Sequence, residues 1–319
     1  MVSTQIMRAI RIHSYGGPEQ LKLEGTPRPA PSAGEVLVRV HAAGVNPIDW
    51  QILQGVMKDV QQVTFPFTPG IEVAGVVEEV GPDVAADLIG QAVFGQIAAG
   101  AYAEYVSVPV EVLALKPKAL SFIEAAAFPV GATTAWRTLF DNGGLTSGQR
   151  VLIQGAAGGM GLFAVQLAKW KGAQVIGTAS TAALDFVRAL GADTVVDYTM
   201  TPVERVVQDM DLVLHGGGAA TLSSSLATLR RGGILISNAG LPSPEQAQAH
   251  GVRVMMSRGT ASVPLEVLTQ LVDEGHLKVP VGKTFSLSEV QEAHEYAQSG
   301  QGRGRIVLRV AEEEGHLIS

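Results

Sequence analysis

The sequence predicts an α/β protein in which a doubly wound parallel sheet is inserted into a β-rich domain. Three observations predict it. Residues 7–115 carry short apolar or alternating runs punctuated by Gly and Pro. Beyond Ser121 such runs alternate with helical stretches. A glycine-rich turn joins the first of those later runs to a helix.

The early strands are MRAIRI, EVLVRVHAAGV, GIEVAGVVEEV, QAVFG and YAEYVSVP. Gly16-Gly17-Pro18, Pro69-Gly70 and Gly81-Pro82 separate them, as turn residues do. SFIEAAAFPVGATTAWRTLF then reads as helical at both ends, with a break at Pro129 and Gly131. Ser121 followed by Glu124 is a capping-box pattern for its first helix. Next come the strands VLIQG, QVIGTAS, TVVDY, DLVLHG, GILISN and RVMM, with helices such as 182–190 and 219–229 between them. That alternation predicts a parallel sheet. The tail returns to mixed texture, with helices over 265–274 and 288–299 and a last strand, RIVLRV. The expected layout is a β-rich domain over 1–122, a parallel-sheet domain over 123–261, and a segment 262–319 that rejoins the first.

The glycine turn carries the most chemistry. Val151-Leu152-Ile153 enters Gly155-Ala156-Ala157-Gly158-Gly159-Met160-Gly161, and the helical period follows from Phe163 to Lys171. The pattern is Ala-x-Gly-x-x-Gly, with Ala156 at the first glycine position. Such a turn lets the backbone approach a pyrophosphate, and the free amides of the helix start attract its charge. In this strand–turn–helix context it predicts a Rossmann dinucleotide site rather than a bare tight turn. NAD-binding versions usually place Asp or Glu about 20 residues on, bonded to the ribose 2′-hydroxyl. Here the second strand ends in Thr178-Ala179-Ser180 with no acid, which favours NADPH. Ser180 is the expected 2′-phosphate contact, although no Lys or Arg follows at once.

Composition narrows the class. The 319 residues suffice for two domains with proper cores. A net charge of −7 without basic runs argues against nucleic acid or an anionic membrane as partner. The absence of cysteine removes disulfides, thiolate nucleophiles and cysteine-ligated zinc. With no apolar signal core and no span of about 18 uninterrupted apolar residues, a cytoplasmic protein is the simplest expectation.

HAAGVNPIDW, PGIEVAGVVEEVG, GAYAEYV, GATTAW, VLIQGAAGGMG, LGADTVVDY and GRGRIVLRV run in one order along 7–310. In these the chain resembles the medium-chain dehydrogenase/reductase superfamily, and within it the zinc-independent quinone oxidoreductase (zeta-crystallin-like) branch. The resemblance implies a GroES-like catalytic domain around the Rossmann domain. Zinc-dependent members carry Cys at Asn46 and His at Ile71; Ile71 cannot ligate a metal and Asn46 is a poor zinc ligand. No metal is expected, and Glu72 reads as structural.

The resemblance also implies site residues. Asn46 would lie beside nicotinamide and substrate, where an amide can donate to a carbonyl oxygen; it is equally a turn-former before Pro47. Asp49 reads as a helix cap. Trp50 and Gln51 are expected to line the substrate pocket, with Gln51 where relatives often carry Tyr or Lys at or next to it. Thr134 matches a Thr next to the nicotinamide, and would also suit a helix start. Ala156, Gly158, Gly159, Met160 and Gly161 form the pyrophosphate turn, and Tyr198 matches a Tyr near the adenosine phosphate. His215, Gly216, Ser237 and Asn238 end later strands, where ligands bind in such sheets. His215 reads as a loop histidine rather than a proton donor. Arg305 reads either as a cofactor-phosphate contact or as a surface charge.

The expected function is NADPH-dependent hydride delivery to a quinone or to the β-carbon of an α,β-unsaturated carbonyl. Two alternatives stay open: an enoyl-thioester reductase of polyketide or fatty-acid type, and a non-catalytic NADPH-binding sensor or structural protein. A homodimer is expected, with GVRVMM at the edge of the parallel sheet.

Overall fold

The computed structural model describes residues 5–300 and 302–311. In chain order, strands β1 (Ile6–Arg11), β2 (Lys22–Pro27) and β3 (Glu35–Gly44) precede helix α1 (Pro47–Leu53). Strands β4 (Glu72–Val80), β5 (Ala92–Gln96), β6 (Tyr105–Pro109) and β7 (Leu113–Leu115) follow, then α2 (Phe122–Ala125) and α3 (Pro129–Trp136). The next stretch holds β8 (Arg150–Ile153), α4 (Gly161–Trp170), β9 (Gln174–Ala179), α5 (Leu184–Ala189), β10 (Thr194–Asp197) and β11 (Met210–His215). It continues through α6 (Leu222–Ala227), β12 (Leu229–Ser237), α7 (Pro244–His250), β13 (Arg253–Met256) and α8 (Leu265–Asp273). β14 (Val281–Ser286), α9 (Val290–Gln298) and β15 (Arg305–Arg309) complete the described chain.

These elements form two compact units, one from residues up to 130 and from 279 on, the other from 131–278. The boundaries fall later than the expected 122/123 and 261/262. Residues 123–130 stay with the first unit because their backbone is bonded there: the Val130 N–H donates to Glu72 at 2.7 Å and Arg305 donates to the Ala127 carbonyl. Residues 262–278 stay with the second unit. α8 buries Leu268, Leu271 and Val272, and the Gln166 side chain bonds both the N–H and the carbonyl of Lys278.

In the first unit the sheet order is β14-β15-β3-β4-β5-β7, with β6 also on β3, and β1 and β2 make a separate antiparallel ribbon. The C-terminal strand does rejoin: Val307, Leu308 and Arg309 pair with Gly44, Ala43 and Ala42. β2, β7 and β14 were not legible, being short or largely polar. Ile10, Val38, Val73, Leu308 and Val290 anchor the core.

The second unit is a six-stranded parallel sheet in the order β10-β9-β8-β11-β12-β13, which reverses between β8 and β11. Ligands of such sheets bind beyond the strand carboxyl ends at that reversal. α4 buries all but its last two residues, so its close approach to the sheet depends on small side chains such as Ala164 and Ala168. One reading changes here. Two helices flank a break as expected, but the break is at residues 126–128 and not at Pro129 and Gly131: Pro129 opens α3, where a proline lacks no needed N–H, and Gly131 lies inside it. The helix then widens to a π-helical turn over Arg137–Asn142. Thr134 is therefore in a helix interior and does not start one. Among the described residues no helix is long and apolar enough to cross a membrane.

Candidate functional site

In the parallel unit the chain leaves β8 through Gly155, whose φ of +66° is a left-handed conformation suited to glycine. The Ala156 N–H donates to the Thr178 carbonyl at 3.0 Å and the Gly158 N–H to the Gly155 carbonyl at 2.9 Å, which curls the turn against β9. A side chain at Gly161 would collide with the Gly155 carbonyl. α4 starts at that residue, and its first amides turn back on the loop: the Leu162 N–H donates to the Gly158 carbonyl at 3.0 Å, and the Phe163 and Ala164 N–H groups donate to the Met160 carbonyl at 3.1 and 3.0 Å. Gly158, Gly159 and Met160 are half-buried while Gly155 is exposed. This is a backbone cradle of the kind that holds anions at a helix start, and a Cβ at Gly161 would force it to shift.

Side chains expected near that cradle gather at the same sheet edge. His215 and Ser237 are in register at the ends of β11 and β12. The Asn238 N–H donates to the His215 carbonyl at 3.2 Å, and Asn238 Nδ2 lies 3.4 Å from Met160 Sδ. Gly216 follows His215 and lies by the Gln154 carbonyl. His215 Nδ1 meets Ser225 Oγ at 2.9 Å, whereas Nε2 is buried without a partner. Burial pushes the His215 pKa down, so the ring is neutral near pH 7. α3 joins this edge through Gly131, where a side chain would meet Phe163 and the Gly159 carbonyl at 2.6 and 2.7 Å. Thr134 lies one turn further. Its carbonyl accepts from Thr138 Oγ1 at 2.8 Å, which also meets Ser257 Oγ at 2.8 Å, and the Ser257 N–H donates to the Ser237 carbonyl. At the far side, Ser180 follows β9 and Tyr198 is exposed at the end of β10.

The first unit holds a different arrangement. Asn46 is 1% exposed and precedes α1, and its N–H donates to Asp49 Oδ2 at 2.8 Å. Asp49 is thus the expected cap, and it also accepts from the Tyr102 hydroxyl at 3.0 Å. Asn46 Nδ2 donates to Glu72 Oε2 at 2.8 Å, and Asn46 Oδ1 accepts from Arg305 at 2.8 Å. Arg305 closes the triangle with a buried ion pair to Glu72. Both expectations for Arg305 are corrected by this. It is 4% exposed, so it is no surface charge, and its guanidinium is engaged by Ala127, Asn46 and Glu72 rather than turned to a cofactor phosphate. Burial lifts the Asp49 pKa to about 7, against the lowering pull of the Asn46 N–H and the Tyr102 hydroxyl. Asp49 Oδ1 has no partner.

Trp50 and Gln51 lie half-buried on α1. The Trp50 ring stands edge-on to His294, centroids 6.4 Å apart, and Tyr102 meets the same imidazole at 5.9 Å. His294 is fully buried with neither ring nitrogen partnered, and burial takes its pKa down to about 4. Sequence reading missed Tyr102 and His294. Nothing local marks them, because each acquires its neighbours from a distant segment.

Two family models match the chain: "Alcohol dehydrogenase GroES-like domain" over residues 32–118 and "Zinc-binding dehydrogenase" over residues 190–308. A tomato (Solanum lycopersicum) 2-methylene-furan-3-one reductase is 33% identical, over 95% of this chain and 79% of its own. Human quinone oxidoreductase is 32% identical, over 95% of this chain and 98% of its own. The structure of the quinone oxidoreductase from Coxiella burnetii superposes with a TM-score of 0.86 at 32% identity, covering 96% of this chain and 100% of that one.

The residues present do not suit the zinc that one model description implies. Asn46 already spends its amide on Glu72 and Arg305, and Ile71 offers no donor. Among the described residues no group of three or more His, Cys, Asp or Glu is placed to hold a metal ion.

Proposed function

The chain belongs to the medium-chain dehydrogenase/reductase superfamily of oxidoreductases, in its quinone oxidoreductase (zeta-crystallin-like) branch, and from that membership we propose that it uses NADPH, without a metal, to deliver hydride to a quinone or to the β-carbon of an α,β-unsaturated carbonyl. The observation that carries the cofactor reading is the glycine cradle between β8 and α4, beside the point where the strand order reverses. The relatives' names support the acceptor classes: a quinone for the human protein, an enone for the tomato one.

When bound, NADPH supplies the hydride from its nicotinamide ring. The turn of Ala156, Gly158, Gly159, Met160 and Gly161 would hold the pyrophosphate, with Ala156 and Gly158 shaping it, since their N–H groups donate to the Thr178 and Gly155 carbonyls. Ser180 and Tyr198 would face the adenosine end, and Thr134, His215, Gly216, Ser237 and Asn238 the nicotinamide end. Asn46, Trp50 and Gln51 would serve the acceptor, whose oxygen gains negative charge and needs a donor; Asn46 Nδ2 carries a second N–H beyond the one given to Glu72. In this reading Arg305 is a positioning residue: with Glu72 it fixes which way the Asn46 amide points. His215, held neutral by burial, is a poor acid near pH 7, so the completing proton comes from solvent. β13 lies at the edge of the parallel sheet and supports a homodimer built on that edge.

The test is NADPH oxidation by the purified protein, with NADH in parallel, against benzoquinone, phenanthrenequinone, simple enones and a crotonyl thioester. Turnover with quinone or enone is the expected result. Tight NADPH binding without turnover of any acceptor would overturn the catalytic reading.

A further inference from the structure

The end of β9 lacks the acid that usually reads a ribose 2′-hydroxyl, but the neighbouring strand supplies one. β10 runs parallel to β9 with Asp197 in register with Ala179, and the Tyr198 N–H donates to the Ala179 carbonyl at 3.2 Å. The Asp197 carboxylate is bound from β9's side. Thr181, the residue after Ser180, donates its hydroxyl to Asp197 Oδ2 at 2.5 Å. Thr199 donates its hydroxyl to Oδ1 at 2.6 Å and its N–H to the same oxygen at 2.9 Å. Oδ2 is thereby tied to the residue that follows the expected 2′-phosphate contact, and Oδ1 is held by Thr199. The Thr181 and Thr199 bonds also hold the carboxyl below its usual range, so it is ionised near neutrality. Arg188, on the following helix, is ion-paired with Asp185 at 2.6 Å.

We propose that Asp197 is a specificity-determining residue for the adenosine end of the cofactor: its tethered carboxylate opposes a ribose 2′-phosphate, leaves a 2′-hydroxyl unopposed, and so limits the preference for NADPH over NADH. The inference rests on the dinucleotide reading above. Its physical basis is like-charge repulsion near the protein surface, which is modest because water and salt screen it. The device differs from the usual one only in its strand of origin. An acid at the end of the second strand is covalently placed; here the third strand carries it, and the Thr181 hydroxyl and the Thr199 N–H aim it.

The test is equilibrium binding on the full chain, titrating NADPH and NADH by fluorescence at low salt. Asp197→Asn keeps the shape and most hydrogen bonds but removes the charge. It is expected to tighten NADPH about three- to tenfold while NADH changes by less than about twofold. Asp197→Ser, which also removes the charge, is expected to move the ratio the same way and guards against a misfolded first variant. Thr199→Val keeps the carboxylate and its Thr181 bond, and is expected to leave the ratio unchanged. An unchanged ratio in both charge-removing variants would overturn the proposal, and so would an equal shift in Thr199→Val, because the effect would then belong to the turn and not the charge. Wild-type protein that binds neither cofactor would remove the dinucleotide reading itself, and this proposal with it.

Discussion

In the β-rich unit, Asn46, Asp49, Glu72 and Arg305 are each at most 4% exposed and are tied to one another by side-chain bonds. In the parallel unit the corresponding place is open: Gly155 and Asn238 are exposed, and the cradle is backbone. The first arrangement fixes its geometry by pairing charges away from water. The second does so by excluding side chains from a turn. A buried ion pair is costly to break but need not add net stability, whereas a glycine turn is cheap to keep and intolerant of bulk.

The contrast can be broken most forcefully at Arg305. Arg305→Met leaves Glu72 buried and uncompensated, and is expected to cost about 3–5 kcal/mol, read as a lower midpoint in chemical denaturation. Arg305→Met combined with Glu72→Gln should recover much of that loss, since it removes both charges and keeps an oxygen for the Val130 N–H. A double variant no better than the single would mean the pair is net stabilising.

The glycine side gives a smaller stability effect and a sharper functional one. Gly161→Ala is expected to cost about 1–3 kcal/mol through its clash with the Gly155 carbonyl. NADPH affinity should fall by more than about tenfold as the turn is pushed out of place. Unaltered affinity, by the same fluorescence titration, would show that the pyrophosphate is held elsewhere.

The gentlest probe is pH, and it separates two neighbours within the buried unit. Asp49, lifted to about 7 by burial, holds in the folded state a proton that the unfolded chain loses near pH 4, so it lowers stability as pH rises from about 4 to about 7. His294, lowered to about 4, refuses a proton that the unfolded chain binds below about 6.5, so it raises stability over about pH 4 to 6.5. The two slopes oppose. Asp49→Asn is expected to steepen the rise in Tm between pH 4.5 and 6.5, and His294→Phe to flatten or reverse it. Each is bounded by about 1.4 kcal/mol per pH unit. Identical profiles in wild type and both variants would show that neither group titrates abnormally.

The same contrast explains what sequence reading could and could not see. Gly155 to Gly161 was legible because a backbone requirement leaves a local mark. Helices α2 and α4 and the parallel strands were legible through caps and periodicity, and the capping box of Ser121 and Glu124 is present as expected. Arg305 was misplaced because its partners, Asn46 and Glu72, lie 259 and 233 residues away. Tyr102 and His294 escape a local reading for the same reason, and Asp197 does so because the usual acid ends the second strand, while here the sheet brings the next strand's acid alongside. Pro129 misled because its effect depends on position: it stops a helix from inside and starts one at the first residue.

The return of β15 to β3 also orders events during synthesis. Residues 131–278 form an uninterrupted stretch and can assemble as soon as they are clear of the ribosome, since domains generally fold as units. The β-rich unit cannot be completed then, for its sheet still lacks β14 and β15 and its Glu72 still lacks Arg305. The earliest-made side chains of the candidate site wait for one of the last to arrive. The nascent chain therefore carries a finished dinucleotide fold beside an unfinished partner, and the Asn46 triangle closes late in translation.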